Sequence, residues 1–199
     1  MANLESGLTY EQAHDLLTTY NKDPFHVQHG ETVGGLMGHF AAEYDPENVD
    51  FWTQVGLLHD LDWEMFDPDL HTVETARLLE EAGASPELAK SIQTHQSDLN
   101  PELPAPELKM EKMLYACDEL SGLVTAAVAM RPSKSVMDFN VKSLKKKFKT
   151  KSFAAGCNRD DIRRGAEING LELDELFAMV IEGMKAIAPD RDTFGKDGE

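Results

Sequence analysis

Residues 56–64 read GLLHDLDWE and place an imidazole and a carboxylate side by side at the end of an apolar run. His59 and Asp60 are followed by two further acids, Asp62 and Glu64. An aspartate is almost never fully buried without a partner. Either these acids lie in a solvated loop, or a cation compensates them. The first explanation suits Asp62, but it does not explain a histidine on an apolar face.

On both sides of this stretch, the apolar pattern is helical in nearly the whole chain. Thr9 and Gln12 form a capping-box pattern, and Asp23 precedes a proline at a first helical position. Helices are predicted at about residues 10–20, 24–44, 46–59, 69–82, 86–95, 107–130, 135 or 138 to 147, 159–169 and 174–187. No run alternates between apolar and polar residues as a strand would. We therefore predict an all-α fold in a single domain, residues 1–188, followed by a flexible C-terminal tail, residues 189–199.

Composition restricts the partners of the protein. Asp and Glu number 36 against 19 Lys and Arg, and the resulting net charge of −17 should repel nucleic acid and anionic membrane surfaces. The longest apolar run, residues 122–130, is shorter than the roughly 20 residues that span a bilayer. Two cysteines without a CxxC pair favour reduced thiols in a cytoplasmic protein.

Two histidines lie within the apolar stripes of predicted helices. His29 shares a narrow arc of the second helix with Phe25, Val33, Leu36 and Phe40. His59 shares a face of the third helix with Trp52 and Val55. A buried neutral histidine with a backbone partner is the simpler interpretation of each one alone.

Asp118 presents the same problem on the long helix. It lies on a side that also carries Met110, Leu114, Cys117 and Val124. An isolated carboxylate there would be very costly. A metal ion or a salt bridge to Arg or Lys would offset that cost, and the pattern leaves both open.

Two more histidines lie at the edges of helices, His71 at the start of the fourth and His95 at the end of the fifth. The complete candidate set is His29, His59, Asp60, His71, His95 and Asp118. Four imidazoles and two carboxylates suit two divalent first-row metal ions. The ion is Fe, Mn, Zn, Co or Ni, and the sequence indicates one or two of them.

The order His29, His59-Asp60 and Asp118 resembles the HD superfamily of metal-dependent phosphohydrolases, which is named for that dipeptide. His71 in HTVETARLL and His95 in IQTH resemble the extra ligands of its two-metal branch. The segments HGETVGGLMGHFA, ACDELSGLVTA, RPSKS and KSLKKKFKTKSFA are similar to a subgroup of small HD-domain proteins. Thr72 and Thr75 depart from the usual proline and glycine, and HQSDLNPELP after His95 lacks the signature of cyclic-di-GMP phosphodiesterases.

The resemblance implies a helical HD-domain bundle and a phosphohydrolase. His29, His59, Asp60 and Asp118 would bind one ion, and His71 and His95 the second. Asp60 would bridge, so His59 and Asp60 are the predicted catalytic pair. Water activated by the divalent metal would attack a small phosphoester, nucleotides among them. Asp62 and Glu64 are either helpers that orient water or a ligand histidine, or exposed acids in a turn.

A phosphoester also requires cations for its remaining oxygens. Lys145 and Lys149 belong to a lysine stripe that also contains Lys142 and Lys146, and Arg131 ends the long helix. We predict that Lys145, Lys149 and Arg131 bind a small anionic phosphorylated substrate. A solvated helix face is the alternative for the lysines, and a helix cap is the alternative for Arg131.

Two other functions use the same residues. A diiron oxygenase acting on a small polyol or phosphonate would use this ligand set, because imidazole suits iron as well as zinc. A non-catalytic regulatory HD module would retain the fold without the reaction. Oxygen uptake would distinguish the diiron oxygenase from a hydrolase. Loss of metal without loss of activity would favour the regulatory module.

Overall fold

The computed structural model describes residues 3–98 and 100–188. Within these ranges the chain forms nine α-helices joined by turns, with no β-strand, which confirms the all-α prediction. The helices are α1 (Tyr10–Tyr20), α2 (Pro24–Tyr44), α3 (Val49–Leu57), α4 (Val73–Glu81), α5 (Pro86–Gln93), α6 (Lys109–Ala129), α7 (Val141–Lys149), α8 (Arg159–Ile168) and α9 (Leu173–Ala186). In the described part of the chain, none of them is both long enough and apolar enough for a membrane span.

The chain divides into two compact units, with the boundary between Tyr115 and Ala116. The first contains α1 to α5 and the beginning of α6. The second contains the rest of α6 and α7 to α9. The single domain over residues 1–188 stays a prediction, and the predicted tail, residues 189–199, lies outside the described residues.

In the first unit, helices α2 and α3 touch backbone to backbone because glycines lie at the contact. A Cβ atom on Gly56 would meet the carbonyl oxygen of Val33 at 2.7 Å, and one on Gly30 would meet that of Leu57 at 2.9 Å. Gly30 follows His29, and Gly56 precedes His59 by one helical turn. The close approach of the helices therefore brings the two histidines together.

Apolar residues fill this contact, largely as the pattern predicts. The buried set includes Val33, Leu36, Met37, Phe40, Trp52, Val55, Leu57 and Leu58. Phe25 was expected in the same stripe, and that expectation is wrong because its side chain is 52% exposed. It lies in the first turn of α2, and its own backbone N–H is bound by the capping side chain of Asp23.

Several helix starts follow their predicted capping signals, but those of α4 and α7 do not. Thr9 and Gln12 form the predicted capping box, with both hydrogen bonds present. The predicted start of the fourth helix at residue 69 is wrong, since residues 68–70 form a 3-10 turn and α4 begins at Val73. Thr72 between them has a φ of +66°, a left-handed conformation that proline cannot adopt. The threonine in place of the motif's usual proline therefore fits this backbone.

The second unit packs α7, α8 and α9. Leu144 and Phe148 are buried on α7, as the stripe predicts, and the Phe148 ring meets the Phe177 ring edge to face at 5.2 Å between centroids. The predicted start of this helix at residue 135 or 138 is wrong, since residues 136–138 form a 3-10 turn and α7 begins at Val141, capped by the side chain of Asn140. Lys142, Lys146 and Lys149 on the same helix are exposed.

Candidate metal centre

Two groups of ligand atoms meet at Asp60 in the first unit. Atoms of His29, His59 and Asp60 lie within 4.8 Å of one another, and so do atoms of Asp60, His71 and His95. These groups could hold metal ions. The structure therefore brings these five predicted ligands of the first unit together, although they come from four separate segments.

The Asp60 carboxylate lies between two histidine pairs. Its Oδ2 atom is 3.3 Å from His59 Nε2 and 3.7 Å from His29 Nε2. Its Oδ1 atom is 3.3 Å from His71 Nε2 and 3.9 Å from His95 Nε2. Each oxygen thus faces its own pair, which is the arrangement that a bridging carboxylate requires.

Hydrogen bonds fix the tautomers of three of these histidines. His59 Nδ1 donates to the carbonyl of Gly56 at 2.7 Å, and His95 Nδ1 donates to that of Ile92 at 2.6 Å. A carbonyl only accepts, so the ring proton must be on Nδ1. His71 Nδ1 donates to Asp62 Oδ1 at 2.6 Å. In the neutral rings, Nε2 therefore keeps its lone pair for a metal ion.

The spacing of the Nε2 atoms also fits a shared ion. It is 3.2 Å between His29 and His59 and 3.3 Å between His71 and His95. Zn–N bonds of about 2.1 Å at tetrahedral angles place two nitrogens roughly 3.4 Å apart. Without an ion, a ring proton on one Nε2 can bridge the two nitrogens at this distance, and a metal ion would take its place.

The electrostatics of the site favour positive charge. Burial by itself would raise the pKa of the Asp60 carboxyl, but His59 and His71 hold that pKa well below its ordinary value. Burial likewise opposes protonation of His71, yet its hydrogen bonds to Asp60 and Asp62 raise its pKa to about 9. A metal ion would replace that proton, because a ligating imidazole must be neutral.

Asp62 contacts a candidate ligand histidine, a position that the sequence left undecided. Its side chain is buried, and Oδ1 accepts from His71 while Oδ2 accepts from the Thr75 backbone N–H at 2.9 Å. The carboxylate thus orients a ligand histidine and caps the first turn of α4. In the sequence, its position two residues after Asp60 was the only indication that it belongs to the site.

Glu64 ties the same loop to the start of α2. Its carboxylate accepts from the backbone N–H groups of Lys22 at 2.8 Å and Asp23 at 2.9 Å, and it lies 2.8 Å from His26 Nδ1. His26 precedes His29 by one helical turn. Glu64 therefore positions the helix that carries the candidate ligand His29.

Asp118 lies in the second unit, on α6, and is half-buried. Its neighbour Glu119 is also half-buried, and burial together with the charge of Asp118 raises the pKa of Glu119 to about 7. The role of Asp118 as a metal ligand stays a prediction.

The three basic side chains that were predicted to bind the substrate also belong to the second unit. Lys145 Nζ lies 2.6 Å from Asp174 Oδ2, and Arg131 forms a two-pronged ion pair with Asp138, with contacts of 2.8 and 3.1 Å. Lys149 is exposed. Two of the three thus already have carboxylate partners, and their binding of substrate stays a prediction.

Comparison with protein-family models, curated proteins and solved structures gave no match. The helical fold and its His/Asp cluster are compatible with an HD-like protein. The resemblance to that superfamily therefore rests on the motif residues and on the geometry around Asp60.

Proposed function

We propose that the protein is a metal-dependent phosphohydrolase acting on a small phosphoester. The observation that carries the proposal is the position of Asp60, whose two oxygens face two histidine pairs at 3.3 to 3.9 Å. A site for a single ion would not require a carboxylate with a separate histidine pair at each oxygen. Two adjacent cations suit the transfer of a phosphoryl group between oxygens.

His29 and His59 would hold one ion, His71 and His95 the second, and Asp60 would bridge them. When bound, such ions polarise a phosphoryl group and lower the pKa of water towards neutrality. The backbone carbonyls of Gly56 and Ile92 hold His59 and His95 in the tautomer whose Nε2 lone pair would bind a metal ion. Asp62 does the same for His71.

The chain also limits which groups move protons. His59 is fully buried, and its Nδ1 proton is engaged by a carbonyl. His59 would thus act by fixing the geometry of the site, and a proton released during the reaction would leave by another group. The Asp60 carboxylate lies next to both histidine pairs, so we expect it to contact both ions.

The first test is elemental analysis of the purified protein, followed by a panel of phosphoesters assayed with the metal that is found. We expect divalent metal in the wild type and phosphate release from at least one ester. His59→Ala should lose both, whereas His39→Ala should lose neither, because His39 is exposed and lies outside the cluster.

Two outcomes would contradict the proposal. Folded protein with all of these side chains that binds no divalent metal would exclude the centre itself. Oxygen uptake with a polyol or phosphonate on iron-loaded protein, without phosphate release from any ester, would favour the oxygenase instead.

A further inference from the structure

The two tryptophans of this chain have opposite environments. Trp52 is buried in α3, with 2% of its surface exposed, and its Nε1 donates to Asp45. Trp63 is 46% exposed, although it lies three residues after Asp60. Its indole ring is 5.1 Å from the His71 ring, with the two planes at 81°. A large flat apolar surface therefore adjoins the candidate metal centre.

The backbone on both sides of Trp63 is fixed. Asp62 is held by His71 and Thr75, and Glu64 is held by the backbone of Lys22 and Asp23. Leu61 is buried, and its carbonyl accepts from Asn21 Nδ2 at 3.2 Å. Because its neighbours are pinned in this way, the indole is presented in a defined place at little entropic cost.

The chemistry of this surface favours stacking of a flat π-system. Quaternary ammonium groups are recognised by several aromatic rings around the charge. Within residues 3–98 and 100–188, the ring contact of Trp63 is with His71 alone. The nearby Phe66 is paired with the guanidinium of Arg77 at 5.8 Å. A single indole beside a phosphoryl site is better suited to stack against a flat aromatic substituent of the phosphoester than to enclose a cation.

We propose that Trp63 is the specificity-determining residue of this site and selects phosphoesters that carry a flat aromatic group. The proposal rests on the proposed function, because it requires the phosphoryl group to lie at the histidine pairs. Trp63 would bind the non-reacting part of the substrate and would take no part in proton transfer.

The test is the binding of two matched probes to zinc-loaded protein, measured by calorimetry. Phenylphosphonate and cyclohexylphosphonate have similar size and charge, and only the first is flat and aromatic. We expect the wild type to bind phenylphosphonate roughly three- to tenfold more tightly, as aromatic pairing predicts. Trp63→Leu should abolish this preference, and Trp63→Phe should retain part of it.

Fluorescence gives a second readout. In Trp52→Phe, Trp63 is the remaining indole, and phenylphosphonate should change its emission. In Trp63→Phe, the emission of the buried Trp52 should stay unchanged. If Trp52→Phe does not fold, the wild type replaces it in the comparison. Phenylphosphonate should then change the emission of the wild type but not that of Trp63→Phe.

Three results would overturn the inference, each in a different way. Equal affinity for both probes in the wild type, with phosphoester hydrolysis intact, rejects the role of Trp63 and leaves the phosphohydrolase standing. Tighter binding of phosphocholine than of phenylphosphonate would assign the indole to a cation. Failure of zinc-loaded protein to bind any probe would reject the phosphoryl site and, with it, this inference.

Discussion

The loop at residues 59–64 and helix α7 are both rich in charge, and both were predicted to serve the reaction, yet they differ in their partners. The charged side chains of the loop turn inward, so that Asp60 faces four histidines and Asp62 binds His71 and Thr75. The lysines of α7 lie at the surface, and Lys145 pairs with the exposed Asp174.

The difference shows how to separate a site from a solvated surface. Buried charge is costly unless every charged group has a partner, so a buried His/Asp network indicates a binding site more strongly than exposed charges do. Exposed ion pairs typically contribute only about 0–1 kcal/mol. Substitutions in the loop should therefore have large and specific effects, and those in α7 small ones.

The largest effect is expected for Asp60→Asn. The amide keeps the shape of the side chain but loses the charge that both histidine pairs face. Metal affinity should fall by more than the roughly 100-fold that loss of an outer partner costs. Elemental analysis and phosphate release measure this. Retention of both ions would refute the bridging role.

Asp62→Asn should have an intermediate effect that is confined to one ion. Asparagine keeps one acceptor oxygen, but its NH2 group must then face either the Thr75 N–H or the His71 Nδ1 proton. One of the two hydrogen bonds is therefore lost, and His71 is held less firmly. We expect roughly 10- to 100-fold weaker binding at the His71–His95 pair, with the His29–His59 pair retained. Metal stoichiometry during titration measures this. Equal loss at both pairs would instead indicate general unfolding.

Glu64→Gln should change acid stability more than metal binding. Hydrogen bonds from the backbone of Lys22 and Asp23 and from His26 lower the pKa of Glu64 below 4.5, against the opposing effect of burial. Because the folded-state pKa is depressed, this stabilisation is present above pH 4.5 and is lost as the pH falls through the folded value.

Urea unfolding from pH 7 down to pH 3 measures this effect. The difference in free energy of unfolding between the wild type and Glu64→Gln should shrink as the pH falls. A difference independent of pH would mean that the carboxylate charge is not involved.

The smallest effect on stability is expected for Lys145→Gln combined with Lys149→Gln. Since both side chains lie at the surface, the free energy of unfolding should change by about 1 kcal/mol or less. If they bind substrate phosphate, KM rises while kcat is retained, and Lys151→Gln provides the surface control. Unchanged KM would reject the anchor prediction and place the lysine stripe among solvated surfaces.

Much of the fold was predictable because helix signals are local. The capping side chains of Thr9, Asp23, Ser85 and Asn158 all bind the backbone N–H groups that their positions imply. The start of α4 was not predictable in this way. Its first turn is capped by Asp62 from a distant loop, and the left-handed Thr72 precedes it. Neither feature has a signal within residues 69–82.

The candidate site was likewise predictable only in its local features. The candidate side chains could be named from residue type and helical spacing, because a histidine within an apolar helical stripe is anomalous wherever that helix packs. The folded chain adds that Asp60 presents one oxygen to each histidine pair, that Asp62 is buried against His71, and that Trp63 is exposed. These facts depend on the backbone contact at Gly30 and Gly56 and on the path of the loop, and no local pattern encodes the distance between segments that meet only after folding.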